Sequence, residues 1–226
     1  MVTIMATNKS VKSNVYTLLR ERDYDQLIVF CEEDRQAWKT LRDSLYETDE
    51  NLIWPAIESI AMLMGKWWQA GEGEKVREYI RRLFWALNDE SGGIGWNAPQ
   101  TIAEIIVLIP ELVDPYGSMV IDRTMEEPLL VPSGLWAVGR LGKRIEGLIK
   151  LFEDALLHTF KTKDAQTLGL ASWAMGQACF EAALPSIELL RNRQEIVRIY
   201  VHGDFMEKSL GQWSEESIQL ISMAVN

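Results

Sequence analysis

The stretches that decide the fold are "LWAVGRLG" at residues 135–142 and "SWAMGQAC" at residues 172–179, which share the pattern W-A-x-G. Residues three apart lie on one face of a helix, so each stretch sets a bulky tryptophan beside a position with no side chain. A neighbouring helix can pack close there. The spacing continues outward: Trp54, Trp96, Trp136, Trp173 and Trp213 recur at intervals of 42, 40, 37 and 40 residues, five of the chain's nine tryptophans. "WPAIESIA" at 54–61 and "WNAPQTIA" at 96–103 further share W-x-A-x-x-x-I-A. A period of this length marks helix pairs that cannot cover their apolar faces alone and stack on the next pair.

Hydrophobic periodicity agrees. In "KVREYIRRLFWALN", Val76, Tyr79, Ile80, Leu83, Phe84 and Leu87 follow helical spacing, with Arg77, Arg81 and Arg82 on the other face. In "RIEGLIKLFEDALL", Ile145, Leu148, Ile149, Phe152 and Leu156 form one stripe. No hairpin dipeptide such as Asn-Gly stands between alternating strands. The expected fold is all-α, a right-handed α-solenoid of about five helical-hairpin repeats in the size range of HEAT and armadillo units. Residues 1–226 form one repeat domain in this reading, with 1–49 as N-terminal cap helices, 50–208 as repeats and 209–226 as a C-terminal cap helix.

The 226 residues are 47% hydrophobic and carry a formal charge of −10 with a pI near 4.8. That charge disfavours non-specific attraction to nucleic acid or to an anionic membrane, both of which need a positive field. No apolar run reaches the length of a membrane span. "IAEIIVLIP" is interrupted by Glu104 and stopped by Pro110. The N-terminus lacks the plan of a secretory signal. Cys31 and Cys179, each within an apolar helical pattern, read as reduced core residues of a cytoplasmic protein.

"WAVGRLGKRIEGLIKLF" at 136–152 and "WAMGQACFEAALPSIELL" at 173–190 resemble HEAT-like repeats of the phycobilisome-lyase type, with their W-A-x-G-x-x-G pattern. "SLYETDENLIWPAIESI" at 44–60, "LFWALNDESGGIGWNAP" at 83–99 and "LWAVGRLG" together resemble an uncharacterised family of small HEAT-like repeat proteins from sulfate-reducing and other anaerobic bacteria. The resemblance spans roughly residues 40 to 190 and implies a fold, not an activity. It fails at Cys179, where a second small residue is expected, which predicts different packing in that repeat.

The most unusual local stretch is "LNDESGGIGWNAPQ" at 87–100. Gly93, Gly95 and Ala98 satisfy the relaxed dinucleotide fingerprint G-x-G-x-x-A, but that motif needs a preceding strand. Here a helix precedes it, and Asp89 and Glu90 would repel a pyrophosphate. Turn grammar explains more. Gly92 or Gly93 lets the chain leave one helix, while Asn97 caps the next with Gln100 as capping-box partner and Pro99 in the first turn. Three glycines exceed what a turn requires, so Asp89, Glu90, Ser91, Gly92, Gly93, Gly95, Trp96 and Asn97 form the candidate partner-binding loop. Trp67 and Trp68 are adjacent and cannot share one core stripe. They either pack between repeats or serve as exposed aromatic anchors.

Chemistry is otherwise sparse. His158 and His202 lack neighbours at metal-ligand spacing, and no nucleophile elbow or P-loop occurs. No catalytic residue, metal or cofactor is expected. Glu90 and Glu104 could converge as acid and base, although solvated surface charge accounts for both. Residues 91–134 carry six acids against Arg123, and residues 135–163 carry six bases against three acids. The expected function is a non-enzymatic scaffold or adaptor that binds a protein partner. Two enzymatic alternatives remain: a HEAT-like DNA glycosylase of the alkylation-repair type using Trp136, Arg140 and the segment to Lys150, or a lyase-like, chromophore-associated protein.

Overall fold

The computed structural model describes residues 8–87 and 95–225. Thirteen helices are described: α1 Asn8–Glu21, α2 Tyr24–Glu33, α3 Arg35–Asp43, α4 Glu50–Gln69, α5 Gly73–Leu87, α6 Ala98–Leu108, α7 Val113–Met125, α8 Val131–Leu141, α9 Glu146–Ile149, α10 Glu153–His158, α11 Ala165–Gln177, α12 Leu184–Glu188 and α13 Leu210–Val225. Two strands, β1 Ile196–Val201 and β2 Asp204–Ser209, lie between α12 and α13. The chain divides into two compact units, residues 1–101 and 102–226, with the division inside α6.

The first unit is built on helices started by aspartate. Asp23, Asp34 and Asp49 each accept a bond from a first-turn backbone amide, satisfying donors that a helix start leaves open. Val11, Val15 and Leu19 of α1 form a buried stripe that meets Leu27, Ile28 and Cys31 of α2. Each such side chain contributes roughly 1.5–3 kcal/mol relative to exposure. Polar ties add register: the Tyr16 hydroxyl donates to Glu47, Arg20 lies 3.3 Å from Asp49, and both Arg22 and the Tyr24 hydroxyl donate to Glu58 of α4. The six apolar residues expected on α5 are all buried.

In the second unit the W-A-x-G pattern acts as anticipated. A Cβ on Gly139 of α8 would lie 2.3 Å from the Trp173 ring of α11, and one on Gly176 of α11 would lie 2.6 Å from Ser217 of α13. Trp136 and Trp173 pack with ring centroids 6.4 Å apart. Trp136, Trp173 and Trp213 are buried, so one set of three helices interlocks through tryptophan and glycine. Trp54 is half-buried and Trp96 is 44% exposed. There the buried positions are the Ala and Ile of W-x-A-x-x-x-I-A: Ala56, Ile60 and Ala61, then Ala98, Ile102 and Ala103.

Three expectations are corrected. The stripe from Ile145 to Leu156 is not one α-helix but short α and 3-10 segments, with Ile145, Ile149 and Leu156 buried and Leu148 and Phe152 half-buried. Gly147 lies within that run, in the four-residue α9, at a position of poor helix propensity. Cys179 is half-buried rather than a core residue. Its φ is positive, +52°, as is that of Gly142, +55°, at the same distance after its own tryptophan. The small residue expected six positions after each tryptophan therefore meets a backbone requirement of the helix exit, which Cys179 satisfies at a steric cost.

The third correction is a β-hairpin in a region read as helical. β1 and β2 pair antiparallel from Ile196–Ser209 to Val201–Asp204, joined by His202 and Gly203, both at positive φ. That is the backbone of a two-residue turn of the kind Asn-Gly favours, and histidine also tolerates it. The register places Arg198 and Tyr200 in the non-bonded pairs, so their backbone groups face away from β2. The Gln166 side chain both donates to the Arg198 carbonyl at 2.7 Å and accepts from its amide at 3.2 Å, and Trp136 Nε1 donates to the Tyr200 carbonyl at 2.8 Å. Trp213 Nε1 donates to the Val197 carbonyl at 3.1 Å. Two repeat tryptophans thus anchor the hairpin.

Replacing Cys179 with glycine is expected to stabilise the protein by about 1 kcal/mol, and Gly142→Ala to destabilise it by about 1–3 kcal/mol. Urea midpoints of the two variants check this, and equal midpoints would refute the shared backbone requirement. Trp136→Phe removes the donor to the buried Tyr200 carbonyl and should cost about 1–3 kcal/mol, read in the same measurement.

Candidate functional site

Of the loop proposed from sequence, Asp89, Glu90, Ser91, Gly92 and Gly93 lie outside the described residues. Gly95, Trp96 and Asn97 are described. The Gly95 amide donates to the Ala86 carbonyl at 3.0 Å, and a Cβ on Gly95 would stand 3.2 Å from that of Ala86, so the chain entering α6 passes tightly against the end of α5. Asn97 does not form the expected capping box. Its side-chain amide donates instead to the Leu45 carbonyl at 2.7 Å, and Gln100 Oε1 is buried without a partner. The tertiary bond to Leu45 takes the side chain away from α6. Trp85, which the sequence reading did not single out, is 81% exposed beside this closure.

Trp67 and Trp68 are both half-buried. Trp67 packs edge-on against Trp38 of α3 at 5.6 Å, while Lys75 Nζ lies 3.4 Å from its ring centroid. Trp68 carries the guanidinium of Arg77 at 4.9 Å. The two neighbours are therefore covered by different partners, and cations occupy part of the surface they would offer.

Two residues of the enzymatic alternative are engaged within the protein. Trp136 is buried with its indole N–H on the Tyr200 carbonyl. Arg140 grips Glu104 through two bonds, Nε–Oε1 at 2.6 Å and a terminal nitrogen to Oε2 at 3.0 Å. Glu104 is buried, so its charge depends on that fork. Among the described residues no group of three His, Cys, Asp or Glu could hold a metal ion. His202 forms the hairpin turn, and His158 lines a hollow of about 510 Å³ with Lys161, Met125 and Pro128. Burial pushes the Cys31 thiol up to about 12, with Asp34 and Glu32 acting in the same direction, which keeps it unreactive.

The clearest unfilled surface lies in the first unit. Asn14, Thr17, Leu18 and Glu21 of α1 face Gln26, Val29, Phe30 and Glu33 of α2 across a groove of about 530 Å³. Each set runs i, i+3, i+4, i+7, one complete helix face. Val29 is exposed, Leu18 and Phe30 are half-buried, and Glu21 and Glu33 form no ion pair among the described residues. Leu18, Val29 and Phe30 give the groove apolar surface, beside Asn14, Thr17, Gln26 and the two glutamates. The sequence held this signal, since each stripe ends in a glutamate where a buried helix face would continue apolar.

Breaking the buried pair should be costly. Arg140→Met, which strands Glu104, is expected to lose about 3 kcal/mol, and adding Glu104→Gln should recover part of it. Denaturation of both variants supplies the check.

Comparison with known proteins finds no family model that matches. An uncharacterised protein of Archaeoglobus fulgidus is 27% identical over 171 residues, covering 74% of this chain and 87% of its own. Among solved structures, a designed armadillo repeat protein in complex with the peptide (KR)4 aligns with a TM-score of 0.58 at 17% identity, covering 96% of this chain and 95% of its own. No helix among the described residues is long and apolar enough to cross a membrane. The fold is an all-α solenoid similar to the armadillo type, with one hairpin inserted.

Proposed function

We propose that the chain is a non-enzymatic, cytoplasmic adaptor that binds a basic, amphipathic segment of another protein in the groove between α1 and α2. The observation that carries this reading is the pairing of two helix faces around Leu18, Val29 and Phe30, flanked by Glu21 and Glu33, which have no cationic partner among the described residues. An amphipathic helix lays its apolar side into such a groove, and its lysines or arginines meet the rim. The net charge of −10 draws a basic partner in and disfavours nucleic acid. The similar designed armadillo protein holds an alternating basic peptide, which supports the class of partner. The phycobilisome-lyase-type resemblance adds no chemistry to this reading, and the burial of Trp136 with the Glu104–Arg140 pair lends none to a glycosylase.

The test uses a fluorescently labelled Leu/Lys amphipathic helical peptide, its Leu/Glu counterpart, and the protein with and without Glu21→Lys/Glu33→Lys. The basic peptide should bind with salt-sensitive affinity and lose about tenfold or more in the double variant. The acidic peptide should not bind. Equal binding of the basic peptide to both proteins would sink the groove as the site.

A further inference from the structure

Arg42 of α3 stands out among the cations. It lies one turn after Trp38, with its guanidinium carbon 5.2 Å from the Trp38 ring centroid. Trp38 in turn packs on Trp67 of α4 at 5.6 Å and on Tyr79 of α5 at 5.5 Å. The guanidinium thereby lies against an aromatic wall. Its Nε is buried and has no hydrogen-bond partner, and no carboxylate of the described residues pairs with it. Its terminal nitrogens are not buried, since the side chain as a whole is only partly covered. Other described cations without a carboxylate, such as Arg144 and Lys150, stand in water.

A cation stripped of part of its hydration, with only the face of Trp38 in exchange, gains from an anion that meets its terminal nitrogens. Two phenols border the same place. Tyr79 is held neutral by burial, which outweighs the opposing pull of the Arg42 charge, and the nearby Tyr46 acts in the same sense as burial. The Tyr79 hydroxyl therefore keeps its proton. Tyr46 is exposed, so the site opens to solvent on that side.

We propose that Arg42 is the centre of a binding site for a single carboxylate, held end-on by the open fork of the guanidinium and flanked by the Trp38 face. The fork matches two carboxylate oxygens in one plane. One cation balances a monoanion. A dianionic phosphate would call for a second, and Lys75, on the Trp67 ring, is already paired with Glu72 at 2.8 Å. The aromatic wall suits the apolar body that carries the carboxylate. The site also adjoins the turn before α6, because the Leu45 carbonyl that receives Asn97 lies in the same short 3-10 segment, Ser44–Tyr46, as Tyr46.

Benzoate is the probe, with benzamide as its neutral counterpart and inorganic phosphate as the other oxyanion, each titrated calorimetrically against the full chain. Benzoate should bind saturably, and benzamide and phosphate should not. Arg42→Met should abolish benzoate binding while melting at or above the temperature of the parent, because it removes an uncompensated charge. Arg42→Lys keeps the charge, loses the fork, and should weaken benzoate about tenfold. Benzoate binding retained in Arg42→Met, or phosphate or benzamide binding as well as benzoate, overturns the site. A markedly lower melting temperature for Arg42→Met would make the arginine a structural residue and overturn it equally.

Discussion

The seat of Trp173 on Gly139 is the contact on which the second unit depends. A single carbon added there would lie 2.3 Å from the indole, far inside any tolerated approach. With that seat empty, α11 closes on α8, and the next step of the same pattern puts Ser217 of α13 over Gly176. Trp136 and Trp213 are thereby buried with their indole N–H groups inside the protein. A buried N–H needs an acceptor. The backbone carbonyls of Tyr200 and Val197 in β1 supply it, so the hairpin is a consequence of how the tryptophans pack as much as of its own sequence.

This explains which parts of the fold could be read from the chain. Period and pattern reveal α5 and the interlock of α8, α11 and α13, because those features are repeated apolar contacts at helical spacing. The tryptophan period was less uniform in meaning than in number. At 136, 173 and 213 the tryptophan is the core residue, whereas at 54 and 96 the Ala and Ile that follow it are, and the ring stays half-buried or exposed. The hairpin lacks the usual signature because its turn is His-Gly rather than Asn-Gly. "IVRIYV" also contains too many apolar residues on both faces for a clean two-residue alternation. Cys179 is legible only as an irregularity: the position calls for positive φ, which sequence patterns of size do not distinguish from a demand for space.

The candidate site was less legible, for a physical reason. Polar surface readings from sequence rest on residue type, but the features that matter here are missing partners, and those are set by tertiary placement. Asn97 was expected to serve α6 and serves Leu45 instead. Glu104 and Arg140, thirty-six residues apart, cancel each other in a bidentate pair. Glu21, Glu33 and Arg42 look no different from the other charged residues of the sequence until the structure leaves each of them without a counter-ion among the described residues.

Those missing partners also bear on specificity. In an acidic chain, long-range attraction brings basic segments to the surface in general and discriminates little among them. Discrimination has to come from short-range groups that are costly to leave unsatisfied. A half-buried guanidinium is such a group, since its terminal nitrogens gain most from a carboxylate presented in their plane. Both the α1–α2 groove and the Arg42 site lie in the first unit, so a segment that is basic along its length and bears one carboxylate would satisfy both demands. A purely basic peptide would meet only the first.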